Sequence, residues 1–411
     1  MPIIERSFVF KLFQGISSGI TLLILYGNIL KSEFAFISSF SAILTSLGII
    51  DFGLGVIFVN LNLKTRRENY LTNEKKITEI FEFKPFIIRA ILLSVFLAVL
   101  VIPTIFYLNF RFRLEIDQGT FLLYAIFSFV FFLGNFMSKI YLVINMVDRL
   151  FKLQFVSSLL QLMFTIGLIF LSAPLIFFVF LLSLPSAIFM LDLLIINFKN
   201  AIKYTTKISW KSSIKFSYTL QLVQLGQTAT SSLVTILIAK YLSDNEVALT
   251  ALVQRIMFTL LAAVGTNFIK SWVNETPVVF LSSSLIKIFQ RTKWRIAHVG
   301  FSILILLGIM LSSLKLNLIN IQLIPSKTFI TIILWVVVFI SQITLWTVYY
   351  DFLRSERYLS MSISTIFGLV ILLPVTLIFS NVGLFFPPLL LMFSQITMEL
   401  TFRSLKKSKI L

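Results

Sequence analysis

The chain has 411 residues, of which 58% are hydrophobic and only 13% charged, with 45 phenylalanines. Soluble globular domains are not that apolar, so the sequence reads as an all-α polytopic membrane protein. It carries a formal net charge of +18, one histidine and no cysteine, which excludes disulfides and thiolate metal sites and leaves little from which to build a zinc or haem site; no cofactor is expected.

Apolar runs of about 20 residues, the length that crosses a hydrocarbon core of roughly 30 Å as a helix, predict about twelve spans. In chain order they lie at about 8–30, 34–60, 85–108, 119–147, 153–172, 174–197, 216–241, 247–272, 296–313, 327–350, 359–380 and 383–403. The first opens with "MPIIERSFVFKLFQG", which has no small-residue cleavage site after a short apolar core and is expected to remain as a spanning helix. Only "SAP" separates the fifth from the sixth.

The positive charge is unevenly placed. With the N-terminus inside, one set of loops holds Lys64, Arg66, Arg67, Lys75, Lys76 and Lys84, then Arg149 and Lys152, the lysines from Lys199 to Lys215, the run from Lys287 to Arg295, Arg354, Arg357 and the basic tail. The opposite loops hold Lys31, Arg111, Arg113, Lys315 and Lys327. This asymmetry places both termini in the cytoplasm and accounts for most of the charge, so no nucleic-acid partner is expected. The outer loops are short, and the chain shows no glycine-rich phosphate loop, paired interfacial carboxylates or metal-ligand spacing; it is not expected to be an enzyme.

A weak internal repeat accompanies this pattern. At an offset of 213, "EFAFISSFSAI" from Glu33 lies over "EVALTALVQRI" from Glu246, matching Glu33 with Glu246, Ala35 with Ala248 and Ile43 with Ile256; Gln14 falls on Gln227. The expected architecture is two six-helix bundles, residues 1–200 and 201–411, related by a pseudo-two-fold axis along the membrane normal. A lysine-rich cytoplasmic linker at about 198–215 joins them, readable equally as an interfacial helix on an anionic leaflet or as a solvated connection.

Charges inside spans are expensive, roughly 3 kcal/mol at the centre, and usually face a wet cavity or a partner. The candidates are Asp51, Arg89, Lys139, Asp192, Lys240, Arg255 and Lys270. In the eighth span Ala248, Ala251, Arg255, Thr259, Ala262, Thr266 and Lys270 recur at three- and four-residue steps as one stripe of small, hydroxyl and basic residues. Arg255 is expected to line a cavity, against a packing salt bridge to Glu246 or Asp51; Lys270 reads also as a snorkelling lysine. Tyr124, Ser128, Asn135 and Lys139 form a similar line in the fourth span, and Lys139 too is within reach of an interface. Gln221, Gln224, Gln227, Thr228 and Ser231 share one arc of the seventh span, where their amides need another helix or a water-filled cavity. Ser41, Thr45, Gly48, Asp51 and Gly55 share one side of the second span. Asp51 there suits a proton-responsive switch, or else neutralises a basic neighbour and holds the fold. A cavity with a basic lining attracts anions, and the residues by themselves point to a two-bundle transporter of something negatively charged.

The block "IDFGLGVIFVN" closing the second span, and the run from "QLVQLGQTATSSLVTILIAKYLSDNEVALTALVQRI" through "GTNFIKSWVNE", resemble the lipid-linked oligosaccharide flippases of O-antigen and capsule pathways, the Wzx type, within the multidrug/oligosaccharidyl-lipid/polysaccharide exporter superfamily. The resemblance implies a multi-pass protein of the bacterial inner membrane that moves undecaprenyl-diphosphate-linked oligosaccharide repeat units from the cytoplasmic to the periplasmic leaflet by alternating access. It implies a cationic lumen, to which Arg255, Lys139, Lys270 and Lys240 correspond by position and character, with Gln224 and Gln227 as further substrate contacts. Coupling to a proton or sodium ion through Asp51, and contact with membrane lipids and other polysaccharide assembly proteins, are further expectations. The rivals are a multidrug or cation exporter of the same superfamily, for which acidic cavity residues are expected, and a membrane-embedded polymerase, for which a large outer loop is expected.

Overall fold

The computed structural model describes residues 6–48, 83–114, 116–143, 146–200, 232–274, 325–354 and 358–407, together with Val223, Gly226 and Thr230. Among the described residues all regular structure is helical. The helices are α1 (Arg6–Asn28), α2 (Lys31–Leu47), α3 (Phe83–Phe112), α4 (Gln118–Val143), α5 (Val147–Phe170), α6 (Leu175–Asn200), α7 (Ser232–Tyr241), α8 (Asp244–Asn274), α9 (Pro325–Arg354), α10 (Tyr358–Val370), α11 (Leu372–Phe379) and α12 (Phe386–Lys407).

Eight of these spans, with α10 and α11 taken together as one, are long and apolar enough to cross a membrane. They fall on the expected stretches to within a few residues. The second half of the second span, the start of the seventh, and the whole of 296–313 lie outside the described residues, as does most of the lysine-rich linker. Side-chain exposure agrees with a lipid setting. On α3, Ala90, Leu93, Ser94, Leu97 and Val101 face inward and are buried, while Ile88, Leu92, Val95, Phe96 and Val99 are apolar and exposed. A helix apolar on its outer as well as its inner face is stable where the surroundings are hydrocarbon. The protein is a multi-pass membrane protein.

Breaks between helices have local causes. Between α5 and α6, Ser172 takes a left-handed backbone with φ of 48°, letting Ser172 N and Ala173 N donate back to the carbonyls of Ile169 and Leu168 at 3.0 and 2.9 Å; Pro174 then cannot prolong α5. Between α10 and α11, Pro374 has no N–H to give the Val370 carbonyl, and the helix is interrupted there. Pro185 sits inside α6 and likewise has nothing to donate to Leu181 O four residues back. Gln161 of α5 supplies the missing donor, its Nε2 reaching Leu181 O at 2.5 Å.

Several hydroxyls in the spans are satisfied in the same internal way. Thr21, Thr45, Ser46, Ser94 and Ser128 each donate to the carbonyl four residues earlier in their own helix.

Helix α4 packs on α6 and α3, α1 on α5 and α8, α2 on α8 and α3, and α12 on α9 and α10. The α4–α6 contact is tight because it is made by small residues: a Cβ on Gly134 would stand 2.3 Å from Ser186 Cβ and 2.5 Å from Ser186 Cα. About two turns further along the same helices, Asp192 of α6 accepts from Tyr141 of α4 at 2.5 Å and from Arg149 of α5 at 2.8 and 3.0 Å. Asp192, expected as one of the costly charges, is thus a staple for three helices.

The two glutamates matched at an offset of 213 do the same work. Glu33 Oε2 accepts from Leu30 N at 3.2 Å, and Glu246 Oε2 from Ser243 N at 3.1 Å. Each is a carboxylate three residues inside a helix reaching back to cap its first turn, at the favourable end of the dipole. The helices they cap, α2 and α8, begin at residues that are themselves 213 apart.

Candidate functional site: a central cavity with one arginine

A cavity of about 570 Å³ lies among α2, the 230–238 segment, α8, α9 and α12. Helix α2 gives it small and hydroxyl side chains, Ser38, Ser39, Ala42, Thr45 and Ser46. The seventh span adds Thr230 and Thr235, and α9 and α12 add Gln342, Trp346, Ser394 and Gln395. Helix α8 turns Thr250, Ala251, Gln254, Arg255, Phe258 and Ala262 toward it. Among the described lining residues Arg255 is the sole charged side chain. It stands eleven residues into α8 from Asp244, which at about 1.5 Å per residue puts it roughly 16 Å below the end of the helix, near mid-span.

The stripe read on the eighth span splits by exposure. Ala251, Arg255 and Ala262 line the cavity, Ala248 is fully buried in helix packing, and the side chains of Thr259, Thr266 and Lys270 lie outside the described residues, although the α8 backbone runs through them. Leu252 and Ile256, expected off the stripe, are buried. Glu246, offered as a salt-bridge partner for Arg255, is held at the Ser243 cap, nine residues and roughly 13 Å away along the helix.

The other expected site residues are dispersed. Lys139 is half-buried on α4, one turn past Asn135, and is outside the walls of this cavity. Lys240 is exposed at the end of α7 with its Nζ 5.3 Å from the Tyr241 ring, and is not among the described residues that line this cavity. Asp51, Gln224 and Gln227 lie outside the described residues. Two lines that were read separately do meet: Asn135 Nδ2 on α4 donates to Gly48 O on α2 at 2.9 Å. Gly48 permits this approach, since a Cβ there would sit 2.8 Å from that amide nitrogen.

The wall also contains groups not singled out in the sequence. Ser341 donates to Gln395 Oε1, Gln395 Nε2 donates to Gln342 Oε1 at 2.5 Å, and one turn further Thr344 donates to Glu399 Oε2 at 2.7 Å, with Arg403 paired to the same carboxylate. This ladder ties α9 to α12 and holds two amides at the cavity surface. Ser38 Oγ is buried in the opposite wall with no hydrogen-bond partner among the described residues. A cluster of His, Cys, Asp and Glu able to hold a metal is absent among the described residues. The arrangement suits binding: one guanidinium, several hydroxyls and amides, and the aromatic side chains of Phe258 and Trp346, in a space among apolar helices.

No protein-family model matches the chain and no curated protein matches it. Solved structures do. A MATE transporter of Vibrio cholerae, a mutant form of VcmN, superposes with a TM-score of 0.58 at 13% identity over 98% of this chain and 97% of its own. The chain has the fold of the MATE transporters. An outward-facing multidrug resistance MATE transporter of the MOP superfamily gives 0.57 at 13% identity, covering 98% and 96%. A MOP superfamily transporter of Pyrococcus furiosus, described as having a binding pocket of reverse polarity that suggests a different function, gives 0.51 at 11% identity, covering 97% and 93%. These neighbours are MATE transporters and another transporter of the MOP superfamily; at 11–13% identity the likeness shows the fold, and the fold does not single out a Wzx-type branch.

Proposed function

We propose that this protein is a flippase that carries an anionic lipid-linked substrate across the membrane, and that the substrate is an undecaprenyl-diphosphate-linked oligosaccharide repeat unit moved from the cytoplasmic to the periplasmic leaflet. The observation that carries the reading is Arg255, the one charged side chain among the described lining residues of a cavity otherwise walled by hydroxyls, amides and aromatics. A guanidinium presents a planar fork of donors suited to two phosphate oxygens at once, and in a space of low dielectric such a pair is far stronger than in water. The serines of α2 and the amides of Gln342 and Gln395 suit sugar hydroxyls. The lipid tail stays in the bilayer while the head group passes, and rocking of the two halves about the cavity would expose it first to one face and then to the other.

A multidrug exporter is the second reading. It is favoured by the multidrug resistance MATE transporter among the structural neighbours and by Phe258 and Trp346, whose ring faces attract organic cations. Against it stands the sign of Arg255, which repels such cations; a pocket of reverse polarity is also what is described for the Pyrococcus relative in fold.

The experiment that tests the proposal is reconstitution with Arg255→Ala and Arg255→Lys. The alanine variant should insert and fold but lose transport of the lipid-linked sugar, and the lysine variant should keep a part of it. Normal transport by Arg255→Ala would remove Arg255 from the binding machinery, and efflux of organic cations against their own gradient in its place would move the protein to the exporter reading.

A further inference from the structure

We propose that Arg111 is the latch of an outer gate, fastening α3 to the α7–α8 hairpin at the end of the molecule that the charge distribution expects outside. Arg111 lies in the last turn of α3. Its Nε donates to Ala239 O at 2.5 Å and one terminal nitrogen to Leu242 O at 2.7 Å, while the other pairs with Asp244 Oδ1 at 2.9 Å. The first two acceptors belong to the C-terminal end of α7, where carbonyls lack helical partners and the dipole is negative; the third opens α8. One guanidinium therefore serves three acceptors on both arms of a hairpin that is about 130 residues away in sequence.

The internal repeat shows that this cap did not need to come from another part of the fold. At the offset of 213, Tyr26 corresponds to Ala239 and Lys31 to Asp244. In the first copy Lys31 Nζ donates to Tyr26 O and lies 3.6 Å from the Tyr26 ring, so the α1–α2 hairpin caps itself. In the second copy the lysine position holds an aspartate, and the cation is supplied from α3. The exchange turns a local cap into a link between residues 83–112 and residues 239–244. Breaking it removes the tie between α3 and the hairpin that carries α8 and Arg255, leaving α8 held by its packing on α1 and α2.

The surroundings suit a joint that opens. Arg111 borders a cleft of about 1270 Å³ that is also lined by Lys31, Ser32, Asn109 and Asn245. These polar groups can hydrate the separated surfaces, so that opening exchanges three protein hydrogen bonds for water rather than leaving them unmade. The latch rests on the transport reading for its purpose, though not for its existence.

The absence of native cysteine makes the test direct. Ser32→Cys and Asn245→Cys, equivalent positions on α2 and α8 that line the cleft, are spin-labelled in the full chain in lipid nanodiscs, and their separation is read by pulsed dipolar spectroscopy. With Arg111 intact one short separation should dominate. Arg111→Ala should raise a longer-separation population on the order of tenfold, as expected when a link of this kind biases a two-state equilibrium. Arg111→Lys should fall between, because a point charge cannot serve three acceptors, and Asp244→Asn should shift the population in the same direction. Folded Arg111→Ala and Asp244→Asn proteins with the unchanged distribution would overturn the latch; if Arg111→Ala fails to fold, Asp244→Asn decides alone. No substrate is present in this measurement, so a shifted distribution in a protein that carries no lipid-linked sugar would sustain the latch while refuting the proposed function.

Discussion

Replacing Gly134 by alanine should destabilise the protein, although alanine is the better helix former. In an exposed helix interior Gly→Ala gains about 1 kcal/mol from propensity. At Gly134 the new Cβ would lie 2.3 Å from Ser186 Cβ, and 2.5 Å from both Ser186 Cα and Ser186 O. Carbon atoms in good contact stand roughly 3.5 Å apart, so α4 and α6 must separate by about 1 Å along the contact they share. Two of the three obstructing atoms belong to the backbone and cannot rotate aside. Overpacking of this kind costs about 1–3 kcal/mol and outweighs the propensity gain. Gly167 on α5 is the control, because a Cβ there meets nothing within 4 Å; Gly167→Ala should leave stability unchanged or raise it. The assay is the midpoint of thermal unfolding in detergent followed by size-exclusion fluorescence, with a fall of several degrees expected for Gly134→Ala and no fall for Gly167→Ala. Ser186→Gly removes the Cβ contact but leaves the two backbone ones, so it should not restore Gly134→Ala to wild type. Equal midpoints for the two alanine variants, or full rescue by Ser186→Gly, would refute the packing argument.

Gln161→Leu should cost about 1–2 kcal/mol by the same assay, since it leaves Leu181 O, already without its helical donor at Pro185, unpaired in an apolar setting. Arg149→Ala should cost more than Arg149→Lys in the same unfolding measurement, because Asp192 then keeps only the Tyr141 bond while still partly buried. Asp117 begins α4 by accepting from Thr120 N at 3.1 Å, and the hydrogen bonds from Thr120 hold its carboxyl below the ordinary carboxylate range. Its contribution is therefore present above about pH 4 and is lost as the pH falls through the lowered value; the amide-exchange protection factors at Gln118–Phe121, corrected for intrinsic rates, should drop there in wild type and show no such step in Asp117→Ala.

Much of the fold was legible because the bilayer fixes helix length and the run lengths report it. Even the "SAP" break between the fifth and sixth spans was visible, a proline next to small residues being enough to end α5. The α8 stripe was legible in part: three- and four-residue spacing separates Ala251, Arg255 and Ala262, which line the cavity, from Leu252 and Ile256, which are buried. Periodicity did not tell Ala248, buried in packing, from Ala251, at the cavity wall, since both share the stripe. Lys240 read as an intramembrane charge although it is the last residue but one of the expected span, 216–241, and the helix ends at the same Tyr241.

The ladder of Ser341, Gln342, Thr344, Gln395 and Glu399 was missed for a different reason. They stand singly or in adjacent pairs within apolar runs, and only the pairing of α9 with α12 makes them a network. Polar residues at a four-residue step in the last span, Gln395 and Glu399, were the available signal. Arg111 was read only as one of a few outer charges; its three partners lie more than 120 residues away, a relation that one-dimensional spacing does not contain.

The central claim is that the cavity around Arg255 carries a lipid-linked anionic sugar, and it is tested most directly by the leaflet in which that lipid resides. The gene is deleted in its own host and replaced in turn by wild type, Arg255→Ala and Arg255→Lys, and lipid-linked oligosaccharide in spheroplasts is scored for accessibility to an impermeant oxidant or lectin. The account predicts inaccessible lipid-linked sugar with the deletion and with Arg255→Ala, full access with wild type, and partial access with Arg255→Lys. Full access in the deletion strain, with normal surface polysaccharide, would contradict it.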